Sequence, residues 1–154
     1  MRKMLLSFKP EVYEKIKSGK KIFEHRRNFP DEPIMAYMYV SAPVKAITGI
    51  VYLGKRHLLS DWHEEFKDDK DAVARIEKYQ ESYRYAMEID EFQETTEISL
   101  EDIRCDIPGF YAPQMYIYLD DTELLSYIEN RIKKKSIHLK HEFEIIESST
   151  VCVH

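Results

Sequence analysis

The chain passes from a helix to a strand within one stretch, Ser18-Gly19-Lys20-Lys21-Ile22-Phe23-Glu24-His25-Arg26-Arg27. Gly19 is suited to ending a helix because glycine adopts positive φ at little cost, and the residues that follow favour an extended strand. Alternate side chains of a strand share a face about 6.6 Å apart, so Glu24 and Arg26 are expected side by side. Lys21 has the opposite parity to Glu24 and joins them only if it still lies in the turn. This charged group predicts a polar ligand site or, as the alternative, a surface salt bridge.

The spacing within this stretch, Gly19-x-Lys21-x-x-Glu24-x-Arg26, resembles the G-x-K-x-x-E-x-R signature of the ASCH domains, which are relatives of the RNA-binding PUA domains. The surroundings are similar too, since Leu6-Ser7-Phe8-Lys9-Pro10 leads into a helix and residues 36–41 read as the next strand. The resemblance implies a small β-barrel whose cleft binds RNA or a nucleotide derivative, held by Lys21, Glu24 and Arg26.

Each member of this trio has a chemistry that suits a nucleotide. Arginine offers a planar fork for phosphate or a base edge, glutamate accepts from an exocyclic amine, and lysine supplies a compact cation. Four further residues are candidates for ligand binding: Lys9, Arg27, Ser41 and Tyr85. Lys9 and Arg27 would extend the basic surface, and the family counterpart of the strand that ends at Ser41 borders the cleft. A capping hydroxyl is the alternative for Ser41.

Tyrosines recur at alternate positions within the predicted strands: Tyr37, Tyr39, Tyr85, Tyr116 and Tyr118. Alternation within strands indicates packing in the core, with stacking of one ring on a base as the alternative. His25, His63 and His141 form no catalytic or metal-binding pattern and are interpreted as satisfied or partly exposed histidines.

An enzymatic function is the second hypothesis. A few small relatives of the ASCH domains hydrolyse acetylated cytidine with a Lys and a Thr three residues further on. This sequence has Lys21 but carries Glu24 at the threonine position. As an amidohydrolase acting on an acylated nucleoside such as acetylcytidine, the chain would use Lys21 and Glu24 as catalytic residues, with Glu24 as a general base on water. The third hypothesis is a protein-interaction adaptor.

Composition and charge set wider limits. The 154 residues, 44% of them hydrophobic, predict one domain with a sizeable core. The net charge is −5, yet residues 1–56 hold twelve Lys or Arg against five acids, which leaves a nucleotide or RNA partner electrostatically reasonable in the first half. Two cysteines without metal-ligand spacing indicate a reduced, cytoplasmic protein with no metal and no cofactor. No segment reaches the ~20 apolar residues of a membrane span.

The order of strand and helix signals predicts an α+β fold, and the resemblance adds the barrel. Residues 57–106 hold sixteen acids against six bases and are predicted to be a helical insertion, with helices beginning at Ser60 and Asp71. Within it, residues 84–89 indicate a strand, and Ser99 is expected to cap a further helix. This insertion is interpreted as a solvated cover on one end of the barrel or, alternatively, as an acidic lid or docking surface.

The C-terminal part of the chain, about 121–147, is predicted to be a helix followed by a strand. Asp121 would cap the helix, and the lysines at 133–135 would complement the negative end of its dipole. Alternating apolar residues from Ile137 to Ile145 indicate the strand, and residues 115–119 indicate an earlier, buried one.

Overall fold

The computed structural model describes all 154 residues. Its helices and strands follow one another along the chain as β1 (Arg2–Phe8), α1 (Pro10–Lys17), β2 (Phe23–Arg26), β3 (Ile34–Val40), β4 (Ala46–Leu58), α2 (Leu59–Glu65), α3 (Lys70–Gln80), β5 (Tyr85–Ser99), α4 (Leu100–Asp106), β6 (Tyr116–Tyr118), α5 (Glu123–Arg131), β7 (Lys134–Lys140) and a short 3₁₀ turn (Ser148–Thr150). None of the five helices has the length and apolar character needed to span a membrane.

All seven strands belong to one mixed sheet in the order β2-β5-β4-β3-β1-β6, with β7 paired to β5. Only β1 and β3 run parallel. The sheet curls into a half-barrel, so that Nη2 of Arg26 on β2 donates to the carbonyl of Ser7 on β1 at 2.8 Å, although these strands stand near opposite ends of the strand order. The predicted α+β, barrel-like fold with peripheral helices is confirmed.

The central strands are buried on both faces, and their alternate residues enter different cores. Met4 and Leu6 of β1 pack with Ile16 of α1, whereas Leu5 packs with Ile128 of α5. This explains why β1 and β3 read as continuous apolar runs. A third core joins β2 to the α2–α3 segment and to the end of the chain: Phe23, Leu59, Trp62, Ile76, Ala86, Val151 and Cys152.

The predicted insertion at 57–106 contains helices α2, α3 and α4, and Ser99 caps α4 as predicted. Between α3 and α4, however, the strand is longer than the predicted 84–89, because β5 extends for fifteen residues through sequence rich in Asp, Glu and Thr. Because β5 pairs with β4 along one side and with β2 and β7 along the other, strand pairing overrides its weak intrinsic propensity. Ser60 does not cap α2, which begins after Leu58 without a side-chain cap, and α3 is capped by Asp69.

The C-terminal part of the chain forms a helix and then a strand, as predicted, but both end earlier than predicted. Helix α5 ends at Arg131 and is capped by Thr122, not by Asp121. The lysine run therefore does not meet the helix dipole, because β7 already begins at Lys134. Strand β7 ends at Lys140, before Ile145, and the three-residue β6 is an outer strand that is only partly covered.

Candidate functional site

The turn after α1 places Lys21 beside β2. Gly19 has φ +82°, and its amide donates to the carbonyl of Ile16, which ends the helix. The Lys21 amide then donates to the carbonyl of Lys15 at 3.0 Å, so Lys21 still lies in the turn when the strand begins at Phe23. Because Lys21 precedes the strand, the alternation of β2 does not turn its side chain away from Glu24 and Arg26.

The three charged side chains form one buried ionic group. Nε and Nη2 of Arg26 both donate to Oε2 of Glu24, at 3.1 and 2.8 Å. Nζ of Lys21 lies 3.6 Å from the other oxygen, Oε1, which also accepts from the His25 amide at 3.2 Å. Glu24 is 4% exposed and Lys21 5%. Both oxygens of Glu24 are thus engaged by the protein itself.

Lys21 also contacts an imidazole and the end of the chain. Its Nζ lies 3.1 Å from Nδ1 of His25 and donates to the carbonyl of His154 at 2.8 Å. Burial lowers the pKa of Lys21, and the charge of Glu24 offsets part of that effect. Burial, and then the charge of Lys21, holds the pKa of His25 well below 6.5. We therefore assign a neutral imidazole that accepts at Nδ1 and carries its proton on Nε2, an atom without a hydrogen-bond partner.

A cleft of about 770 Å³ opens beside this group. It lies between the two ends of the curled sheet, because its walls include Ser7 and Phe8 of β1 as well as Glu24 and Arg26 of β2. The cleft is lined by four Lys or Arg side chains and two Glu: Lys9, Lys21, Arg26, Lys78, Glu11 and Glu24. It is therefore cationic within a chain of net charge −5.

Solved structures with this architecture come from the ASCH protein of Zymomonas mobilis. That structure matches with a TM-score of 0.64 at 21% identity, over 86% of this chain and 96% of the other. This chain has the ASCH-domain fold. A Ser-to-Ala variant of the same protein matches with a TM-score of 0.63 at 22% identity, over 84% and 96% of the two chains. No protein-family model matches the sequence, and no curated protein sequence does.

The cleft of this ASCH-domain fold contains most of the predicted site residues: Lys9, Lys21, Glu24, Arg26 and Ser41. Arg27 and Tyr85 do not line it. Arg27 follows the last residue of β2 and is exposed to solvent outside the cleft. The ring of Tyr85 packs beneath the guanidinium of Arg56, 4.0 Å from its centroid, and against the larger core. The structure therefore does not bring these two residues into the cleft with the other five.

Other residues of the cleft were not predicted. His25 lines it with an unpartnered nitrogen, so its interpretation as a satisfied histidine is wrong. Lys78, Tyr79 and Tyr83 reach the cleft from α3 and the turn after it. Spacing gave no signal for this, because tyrosines at i and i+4 of an amphipathic helix read as a core stripe. No acidic residue of the insertion lines the cleft.

Proposed function

We propose that the cleft binds RNA or a nucleotide derivative. The observation that carries this proposal is the state of Arg26. Its Nε and Nη2 are held by Glu24 and by the carbonyl of Ser7, whereas Nη1 makes no hydrogen bond within the protein. A guanidinium fixed on one side and free on the other, in a cationic cleft, is arranged to donate to an anionic or carbonyl oxygen of a ligand.

The hydrogen-bonding balance of the cleft indicates which ligand groups it meets. Both oxygens of Glu24 are already engaged, Oε2 by two bonds from Arg26 and Oε1 by the His25 amide, so its main role is to orient Arg26 and Lys21. The lining then presents mainly donors, with the ammonium groups of Lys9 and Lys78 at its edge. Phosphate oxygens and base carbonyls are acceptors and complement such a surface.

The size of the cleft supports a small or single-stranded ligand. Its volume of about 770 Å³ lies in the range of ~300–1,000 Å³ that is usual for sites of drug-sized molecules and cofactors. That space suits a nucleotide or a short single-stranded segment. The 57–154 half of the chain, with twenty-three acids against eleven Lys or Arg, should repel the extended backbone of a long duplex.

Binding of a labelled oligouridylate, followed by fluorescence anisotropy at two salt concentrations, tests this proposal. The double variant Lys9→Ala/Lys78→Ala removes two exposed cleft cations without touching the core. It should weaken binding. It should also make the affinity less dependent on salt, by an amount that corresponds to the loss of up to two ionic contacts with phosphates. Arg26→Lys keeps the charge but loses the fork, and it should weaken binding by about 1.5–3 kcal/mol.

The matched controls are Arg27→Ala and Lys67→Ala, which remove exposed cations outside the cleft. They should bind as the wild type does. If Lys9→Ala/Lys78→Ala and Arg26→Lys also bind every tested oligonucleotide with wild-type affinity, the cleft is not the binding site.

One observation favours an amidohydrolase as the second candidate function. Lys21 is buried, its pKa is lowered by burial, and a neutral imidazole lies 3.1 Å away, so the site contains a basic pair. Glu24, with both oxygens engaged, is poorly placed to activate water. Release of acetate from acetylcytidine by the wild type, lost in Lys21→Ala but retained in Arg27→Ala, would establish this activity in place of simple binding.

A further inference from the structure

Tyr83 is an exposed aromatic ring in a cationic cleft. It follows α3, lines the cleft, and is 38% exposed. Its ring centroid lies 5.9 Å from that of His25 and 6.0 Å from that of Tyr79. His25 and Tyr79 meet edge to face at 4.8 Å, so the three rings form one wall of the cleft. Only Tyr83 among them is exposed.

The backbone of the residue that carries this ring is fixed. The amide of Tyr83 donates to the carbonyl of Tyr79 at 2.9 Å, and the next amide, of Arg84, donates to the carbonyl of Arg26 at 3.2 Å. The turn after α3 is therefore hydrogen-bonded to the strand that carries the charged group. This holds the main chain at Tyr83 close to the main chain of Arg26.

We propose that Tyr83 is the stacking surface of the cleft for one unpaired nucleobase, while Nη1 of Arg26 donates to a phosphate or base oxygen of the same ligand. This inference rests on the proposed nucleotide binding and adds the residue that would meet the base, and with it a physical reason for selecting unpaired bases. A base inside a duplex has both faces covered by its neighbours, whereas an unpaired base offers a free face to an aromatic side chain. The cleft therefore selects single-stranded nucleic acid or a free nucleotide.

The proposal separates the contribution of the base from that of the backbone. If phosphates alone were bound, an oligomer without bases would bind as well as one with them, because its charge is unchanged. Stacking of one base on an aromatic residue instead adds roughly 5- to 150-fold in affinity, and it tolerates different sequences. Phe retains this stacking face, whereas Leu removes it.

The experiment compares a uridine tetranucleotide with an abasic tetranucleotide of the same backbone. Wild type and Tyr83→Phe should prefer the base-bearing oligomer, and Tyr83→Leu should lose most of that preference while binding the abasic oligomer unchanged. Tyr111→Leu is the matched control, because Tyr111 is 78% exposed and lies outside the cleft. An oligomer carrying 2-aminopurine adds a direct readout, since its emission is quenched when the base stacks on Tyr83.

The outcomes distinguish the two proposals. If wild type and Tyr83→Leu show the same preference and the same quenching, while Lys9→Ala/Lys78→Ala still weakens binding, nucleotide binding stands and the role of Tyr83 is overturned. If the wild type binds neither oligomer, both proposals fail. If Tyr83→Phe behaves as Tyr83→Leu does, the hydroxyl and not the ring face is responsible, and the stacking proposal is also wrong.

Discussion

Glu24 is only 4% exposed and holds two cations, so its neutral analogue should be strongly destabilising. In Glu24→Gln the carboxylate that accepts two bonds from Arg26 and faces Lys21 becomes an amide, and one of its two positions turns from acceptor to donor. Removing one partner of a buried ion pair costs about 3–5 kcal/mol. Burial already lowers the pKa of Lys21, and loss of the carboxylate favours its neutral amine further, which limits the cost. We therefore expect about 3 kcal/mol.

Urea unfolding at pH 7 measures this value. With an m-value of about 2 kcal/mol/M, a loss of about 3 kcal/mol moves the midpoint down by about 1.5 M. The control is Glu129→Gln, whose partner Lys3 lies 3.0 Å away in a pair that is 33–44% exposed. That variant should lose less than about 1 kcal/mol. Equal midpoints for the two variants would refute the view that Glu24 neutralises a buried cationic group.

Three further predictions concern stability. Lowering the pH from 7 to 5 should destabilise the wild type more than His25→Gln, because the pKa of His25 is held well below 6.5 and the unfolded chain takes up the proton first. The difference between their free energies of unfolding, measured in urea, should grow below about pH 6.5 by at most about 1.4 kcal/mol per pH unit. A constant difference would mean that His25 titrates normally in the folded protein. Gly19→Ala should cost about 1–2 kcal/mol of stability from backbone strain at φ +82°. A steric clash should add nothing, because the atom nearest to an added Cβ is 3.7 Å away. Gly19→Asn should cost less, and equal melting temperatures for the two variants would contradict this. Tyr13→Phe should cost about 0.5–1.5 kcal/mol by chemical denaturation, because it removes the buried hydrogen bond from the hydroxyl to the carbonyl of Thr48, and no change would show that the bond is not stabilising.

The sequence was informative where a feature depends on neighbouring residues. Gly19 ends α1 because of its own conformation, and the alternation of β2 brings Glu24 and Arg26 together. These are local rules, and they predict that Glu24 and Arg26 meet, whereas the inclusion of Lys21 came from the family resemblance and depended on its lying in the turn. They did not show that both oxygens of Glu24 are engaged within the protein, since that depends on how closely the trio is packed.

The remainder of the cleft depends on contacts between distant parts of the chain. Lys78 and Tyr83 reach it because α3 packs through Ile76 on a core that also contains Phe23 and Val151. Nothing in the spacing of α3 indicates which part of the sheet it covers. The same holds for the carbonyl of His154, which meets Lys21 across 133 positions of the sequence. The extent of strand β5 also depends on distant contacts, because pairing with neighbours on both sides keeps its acidic sequence extended.

The bond from Arg26 to the carbonyl of Ser7 joins strands that stand near opposite ends of the strand order. The cleft is thus the gap at which the half-barrel fails to close, and a ligand that contacts both Lys9 and Arg26 would bridge that gap. Such a ligand resists separation of the two edges, so it acts on the unfolding of the whole sheet and not only on its local surroundings. When its free concentration is about 100 times its dissociation constant, the ligand adds about 2.7 kcal/mol to the free energy of unfolding. If the two edges separate in the transition state for unfolding, this added stability slows unfolding. The folded chain would then persist longer when the cleft is occupied than when it is empty.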